Sequence, residues 1–211
     1  MSDIQILHRD EHLLVVDKPA GLLVVAAPGR RGKTLIDLVG EQLGSRVYAV
    51  HRLDEGTTGA IVIACTELAR DAMDPLFRVH AVDRDYLALV SGVPSPAAGR
   101  IESRLQEQDG MVRVVVRGGQ TAITDYETIE RRGRCTLVRC RLATGRRNQI
   151  RVHMQALGCP IVGDRKYGHR AREGETQSRP MLHSWRIAFD HPITGIRVKV
   201  ESLPRETELR P

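Results

Sequence analysis

The sequence predicts an α+β fold: a mainly antiparallel, mixed β-sheet core with a few flanking helices. Three observations carry this reading. Short runs rich in Val, Ile and Leu recur along the chain, each the length of a strand. Only a few stretches have helical spacing. Strand and helix candidates do not alternate regularly, which argues against a parallel, doubly wound sheet.

In chain order, Ile4 to Leu7 and Leu13 to Val16 read as a hairpin around Arg9, Asp10 and Glu11. Lys18-Pro19-Ala20-Gly21 breaks the second strand. Thr34 to Leu43 has apolar residues at helical spacing, a Thr at the cap position and Gly44 just past its end. Ala60 to Cys65 is a continuous apolar run, as in a buried strand, and Thr66 can cap a helix reaching roughly Phe77. Asp85 to Val90 is a further strand. Residues 94 to 111 hold Pro94, Pro96, Gly99 and Gly110, and read as loops around a short strand at Arg100 to Leu105. Met111 to Val116, Thr121 to Glu130 and Arg134 to Leu142 are three more strand candidates, and Gln149 to Leu157 is helical. A polar, Arg-rich loop over 168 to 180 precedes closing strands at Met181 to Phe189 and Ile196 to Val200. There is no repeat, low-complexity tract or flexible linker. One domain, 1–211, is therefore expected.

Composition narrows the function. The 211 residues carry a net charge of +6, and only four of the 32 cations are lysines. A planar guanidinium forks onto phosphate and stacks on bases, so the bias suits an RNA partner. The four cysteines form no CxxC pair and no histidines stand at zinc spacing, so no metal is expected. The first residues lack a basic and apolar leader, and no apolar stretch approaches a membrane span. A cytoplasmic location, no membrane contact and a monomer follow as expectations.

Three segments hold candidate chemistry. His51-Arg52-Leu53-Asp54-Glu55-Gly56-Thr57-Thr58-Gly59 lies between apolar stretches on a loop. A lone Asp there commonly satisfies turn amides. Thr144-Gly145-Arg146-Arg147-Asn148-Gln149-Ile150-Arg151-Val152-His153 puts basic side chains at a helix start, against the helix dipole. If Asn148 caps that helix, Arg151 falls within its first turn or so. Something anionic must offset it, a buried carboxylate or a phosphate. Arg84-Asp85-Tyr86 opens a strand whose Tyr86 shares a face with Ala88 and Val90.

With these stand Val15-Val16-Asp17-Lys18-Pro19-Ala20-Gly21-Leu22, Gly158-Cys159-Pro160-Ile161-Val162-Gly163-Asp164 with Tyr167-Gly168, and Leu182-His183-Ser184 followed by His191-Pro192-Ile193-Thr194-Gly195. In this order the set resembles the RluA-type RNA pseudouridine synthases over nearly the whole chain. Two departures occur: Thr57-Thr58-Gly59 where Thr-Ser-Gly is common, and Arg147-Asn148 where Thr-His is common. Members with a separate S4-like domain carry it ahead of the catalytic one. No room for it precedes Ile4, so RNA selection is expected within the catalytic domain.

The resemblance implies the pseudouridine synthase fold and the isomerisation of uridine to pseudouridine in ribosomal or transfer RNA, with no cofactor. Asp54 becomes the nucleophile, which splits one hard step into two. Burial would neutralise a carboxylate, and a guanidinium reverses that, so Arg151 is assigned as its counter-ion. Tyr86 stacks on the base and is a candidate general base. Ile150 packs the other side of the base, and Arg52 fills the gap left by the extruded nucleotide. Arg147 and Gln149 complete the expected substrate contacts. The partner is a structured RNA stem-loop, with no DNA. A catalytically silent RNA-binding protein needs only the basic surface, and a two-carboxylate glycoside hydrolase would need more than Glu55 beside Asp54.

Overall fold

The computed structural model describes residues 3–170, 177–205 and 209. The chain divides into two compact units, Met1–Arg84 with Ser184–Leu203, and Asp85–His183 with Pro204–Pro211.

In the first unit, β1 (Gln5–Arg9) and β2 (Leu13–Lys18) form an antiparallel hairpin. Its turn is closed by Asp10, whose Oδ1 accepts the amides of His12 and Leu13 at 2.8 and 2.7 Å. Strand β2 pairs antiparallel with β4 (Thr58–Ala64), and β3 (Tyr48–Ala49) pairs antiparallel with the far end of β4. All seven residues of β4 are buried, as its unbroken apolar run requires of a strand covered on both faces. From Ser184 onward β10 (Leu182–Asp190) lies beside β4, and β11 (Arg197–Glu201) pairs antiparallel with β10.

Two helices belong to this unit. Helix α1 (Leu35–Leu43) begins with a capping box, in which Thr34 accepts from the Asp37 amide and Asp37 accepts from the Thr34 amide. It ends at Gly44, whose φ of 65° is cheap only for glycine. Helix α2 (Glu67–Arg78) is capped by the Thr66 side chain. Its Ala69 and Met73 pack on Leu13, Val15, Ala60 and Val62, with Ile187, Phe189 and Val198 completing the cluster.

In the second unit the strand order is β5 (Asp83–Ser91), β9 (Cys135–Leu142), β8 (Gln120–Arg132), β6 (Ala98–Gln108) and β7 (Met111–Val115), every neighbouring pair antiparallel. Helix α3 (Gln149–Ala156) follows, then a 3₁₀ turn at Arg165–Tyr167. Leu105, Val112, Ala122, Val152 and Tyr167 form one buried apolar cluster here.

The α+β class and the antiparallel pairing agree with the sequence. Three details differ. Strand β6 runs for 11 residues rather than the short piece expected at Arg100 to Leu105. Its alternate residues are exposed and polar, so hydrogen bonding to β7 and β8 sustains it where apolar content does not. Asn148 occupies the cap position of α3 without a capping side-chain bond. It sits at a φ of 52°, a left-handed conformation that Asn tolerates better than most residues. The two-residue β3 is too short to leave a pattern. Of the polar loop expected over 168 to 180, residues 171–176 lie outside the described residues.

Candidate active site

Asp54 stands on the loop between β3 and β4, partly buried, between exposed Arg52 and the turn at Glu55-Gly56. Leu53 is buried and anchors the loop. The Asp54 carbonyl accepts the Thr57 amide at 3.0 Å. The next carbonyl, of Glu55, accepts the Gly21 amide at 2.9 Å and Lys18 Nζ at 3.1 Å. Lys18 is fully buried, and its ammonium also donates to the carbonyls of Pro19 at 2.9 Å and Leu22 at 2.8 Å. An ammonium has three donors, and here three carbonyls receive them. One side chain thus clasps the Lys18-Pro19-Ala20-Gly21 turn to the Asp54 loop.

His51 fixes the other end of the loop. Its Nε2 accepts the Val62 amide at 3.0 Å, and its ring stacks on Phe77 with centroids 4.5 Å apart. Burial, and then the charge of Arg84, push its pKa down to about 3, so the imidazole is neutral and free to accept. Gly59 closes the segment at a φ of 104°, with the Ser184 backbone where a Cβ would lie.

The second unit carries the other expected residues. Tyr86 is buried on β5 and pairs in register with Cys140 of β9. Burial pushes the Cys140 thiol up to about 12, so it stays protonated on the strand beside the tyrosine. Ile150 is buried on α3, and Arg147 is exposed and ion-paired with Glu107.

Arg151 is held tightly. Its Nε donates to Asp164 Oδ2 at 2.6 Å and its Nη2 to Oδ1 at 2.8 Å, a two-point fork on a carboxylate that is 1% exposed. The guanidinium carbon lies 4.8 Å from the Tyr167 ring centroid. Tyr167 is itself fixed, donating to Asn148 Oδ1 at 3.0 Å and accepting the Val112 amide at 3.1 Å. The anion that the sequence demanded near Arg151 is thus present as Asp164. The replacement residue Asn148 spends its side chain on Tyr167.

Gln149 is buried and has every polar valence engaged. Its Oε1 accepts from Thr144 Oγ1 and the Arg146 amide at 2.7 and 2.9 Å; its Nε2 donates to Ile123 O and Thr124 Oγ1, both at 2.9 Å. The substrate contact expected of it is joined by a geometry that fixes the start of α3. His153 extends the network, with Nδ1 2.9 Å from Thr124 Oγ1 and Nε2 3.0 Å from Ser103 Oγ. Burial lowers its pKa to about 4.

Arg52 and Asp54 therefore share one loop of the first unit, and Tyr86, Arg147, Gln149, Ile150 and Arg151 belong to the second. Sequence reasoning gave no role to Lys18, His51, Asp164 or Tyr167. The available signal for Asp164 was the unbalanced charge at the start of α3. Among the described residues, no group of three His, Cys, Asp or Glu side chains is placed to hold a metal.

The family model described as RNA pseudouridylate synthase matches residues 12–156. The ribosomal large subunit pseudouridine synthase D of Pseudomonas aeruginosa is 38% identical over 97% of this chain and 69% of its own length. An RNA pseudouridine synthase of Bacillus subtilis, YlyB, named as uncharacterized, is 36% identical over 97% of this chain and 70% of its own. Among solved structures, human RNA pseudouridylate synthase domain containing 4 superposes with a TM-score of 0.79 at 26% identity, over 97% of this chain and 90% of that one. The α+β sheet described above is thus the pseudouridine synthase fold, and the chain belongs to the RNA pseudouridylate synthase family as an RNA isomerase of the RluA type.

Proposed function

We propose that this enzyme converts specific uridines of large-subunit ribosomal RNA to pseudouridine, with Asp54 as the nucleophile. The glycosidic bond from N1 to the sugar breaks, the base turns, C5 bonds to the sugar, and the proton of C5 leaves as N1 gains one. Nothing is added or oxidised. The observation that carries the reading is the immobilised loop of Asp54. A buried ammonium, a neutral histidine and a glycine in contact with backbone hold the chain on either side of one partly exposed carboxylate. Fixed geometry of this kind is what a nucleophile requires. The choice of ribosomal RNA follows the printed name of the Pseudomonas relative. A transfer RNA stem-loop is the other structured substrate that the sequence reading allows.

The remaining roles follow residue by residue. Arg151 is the counter-ion assigned to Asp54, its plane fixed by Asp164. Tyr86 stacks on the uracil and serves as general base, with Ile150 against the opposite side. Arg52, exposed beside Asp54, replaces the extruded base, and Arg147 contacts the RNA backbone. Gln149 positions the start of α3. The 211 residues act as one catalytic domain, a monomer in the cytoplasm. No helix of the described residues is long and apolar enough to cross a membrane.

The test is Asp54→Asn and Asp54→Ala with large-subunit ribosomal RNA transcribed in vitro. RNA binding is retained and pseudouridine formation is abolished. Full turnover by either variant sinks the assignment. Mapping pseudouridines in RNA from cells lacking the protein identifies the target, and an unmodified ribosomal RNA site there supports the ribosomal reading.

A further inference from the structure

An open groove of about 610 Å³ lies in the first unit, and none of the residues given a catalytic or RNA-binding role lines it. Val25, Ile36, Val47 and Ala49 give it an apolar floor. Its rim carries Arg46 and Arg70, whose guanidinium carbons lie 5.0 and 5.3 Å from the centroid of one ring, that of half-buried Tyr48. Two like charges held around one ring sit roughly within a Debye length, about 8–10 Å at physiological salt, and repel. Among the described residues, Arg70 pairs with Asp71 at 2.9 Å and Glu67 at 4.0 Å, both on the exposed face of α2. Arg46 is exposed and makes no hydrogen bond or ion pair among the described residues. The remaining charge in the groove, Asp37, is committed to the Thr34 amide and hydroxyl, both at 2.8 Å, and is turned to capping α1.

We propose that this groove seats a single-stranded segment of the substrate RNA, one phosphodiester bridging Arg46 and Arg70 and its base lying on the apolar floor. The inference rests on the RNA-modifying activity of the chain and extends it to a second contact. A bridging phosphate relieves the repulsion between the two guanidiniums, and a flat base stacks on guanidinium planes and apolar surface alike. An acidic peptide satisfies the charges but makes no use of the floor. The location fits a strand that also reaches the nucleophile. Tyr48 and Asp54 are joined by one short stretch of chain, so their Cα atoms lie at most about 22 Å apart. That is about six stacked nucleotides at 3.4 Å each.

The experiment uses the whole chain with both arginines changed, Arg46→Gln and Arg70→Gln. Binding of a fluorescein-labelled uridine dodecamer is followed by anisotropy across a salt series. The variant binds about tenfold more weakly at low salt, near 1.4 kcal/mol. Its plot of log affinity against log salt flattens by about 0.7 for each phosphate that the protein ceases to neutralise. With large-subunit ribosomal RNA, KM rises while kcat at saturation is retained. An affinity within twofold of wild type with an unchanged salt slope overturns the proposal. So does displacement of the dodecamer by polyglutamate at equal charge concentration, which assigns the groove to an acidic protein. Should wild type form no pseudouridine in the ribosomal RNA, the substrate assignment fails while the dodecamer still reports on the groove.

Discussion

Arg151 and Asp164 meet in a two-point fork, Nε to Oδ2 at 2.6 Å and Nη2 to Oδ1 at 2.8 Å, with the arginine side chain 11% exposed and the aspartate 1%. The pair locks the guanidinium plane of the residue assigned as counter-ion to the nucleophile. It also offsets a cation at the wrong end of a helix dipole. Breaking a buried, two-point ion pair by changing one partner costs about 3–5 kcal/mol. Asp164→Asn keeps one acceptor, so the expected loss is about 3 kcal/mol by urea unfolding. Replacing both partners, Arg151→Leu with Asp164→Leu, recovers most of that stability but not the activity. A single variant as stable as wild type would show that the fork does not hold the start of α3.

The buried histidine of α3 gives a pH dependence. His153 is fully buried, and burial holds its pKa at about 4 against 6.5 when unfolded. The unfolded chain therefore binds the proton first, and stability rises with pH between those two values. Above pH 6.5 the contribution is complete; as pH falls from 6.5 toward 4 it is lost, on the order of 3 kcal/mol. His51, held at about 3, adds to the same loss, so His153 supplies part of the slope. Asp10 and Asp37, held below the usual carboxylate range by amide bonds, with the Thr34 hydroxyl at Asp37 and the His8 ring at Asp10, act in the same direction only at lower pH. Urea midpoints from pH 7.5 to 4.5 measure the slope. In His153→Gln the slope becomes shallower but does not vanish, and an unchanged slope removes His153 as a contributor.

Gly59 and Gly133 separate strain from close contact. Both have positive φ, 104° and 62°. A Cβ on Gly59 would lie 2.2 Å from the Ser184 carbonyl oxygen and 2.8 Å from its nitrogen, whereas Gly133 has open space. Gly133→Ala costs the left-handed conformation alone, about 1–2 kcal/mol. Gly59→Ala adds a clash with backbone that must move, for about 3 kcal/mol or more. Thermal unfolding of the two variants compares them directly. Gly59→Ala also loses activity, because the strand it distorts carries the Asp54 loop. Equal stabilities would show that β4 and β10 separate freely at this point.

Local chemistry made much of this readable from sequence. Helix α1 was legible because its start and stop are written in adjacent residues, Thr34 with Asp37 and then Gly44. Strand β4 was legible because the continuous apolar run from Ala60 to Cys65 has the length of a buried strand, which the structure places at Thr58–Ala64. Strand β6 was underestimated because its stability lies in two flanking ladders rather than in its own side chains. At the site, Asp54 and Arg151 stood out as chemically unusual, but their supports did not. Lys18 reaches a carbonyl 37 residues away, and Arg151 a carboxylate 13 residues away. No short-range pattern encodes such contacts. Asn148 shows the reverse failure: a residue with strong capping preference turned its side chain to Tyr167 once tertiary packing offered a hydroxyl.

Lys18 gives the sharpest test of how the nucleophile is held. Its ammonium binds three carbonyls in a fully buried position, and one of them belongs to the residue after Asp54. Lys18→Met keeps the length and volume of the side chain and removes the donors. The Glu55 carbonyl keeps its bond from Gly21, but those of Pro19 and Leu22 each lose the lysine as donor. Pro19 is exposed and its carbonyl can turn to water, so the cost comes from the Leu22 carbonyl, a buried group left unsatisfied at about 1–3 kcal/mol in urea unfolding. The loop then shifts relative to its frame. A displacement near 1 Å at a reacting group costs about a hundredfold in rate. Single-turnover pseudouridine formation at saturating enzyme reads that loss as the rate of the chemical step, with the dissociation constant for RNA unchanged, because no lysine charge is exposed to the substrate. A variant that loses stability but keeps its single-turnover rate reduces Lys18 to a structural residue. A variant that loses RNA affinity in place of rate would show instead that the clasped turn, and not Asp54, is what the ammonium holds.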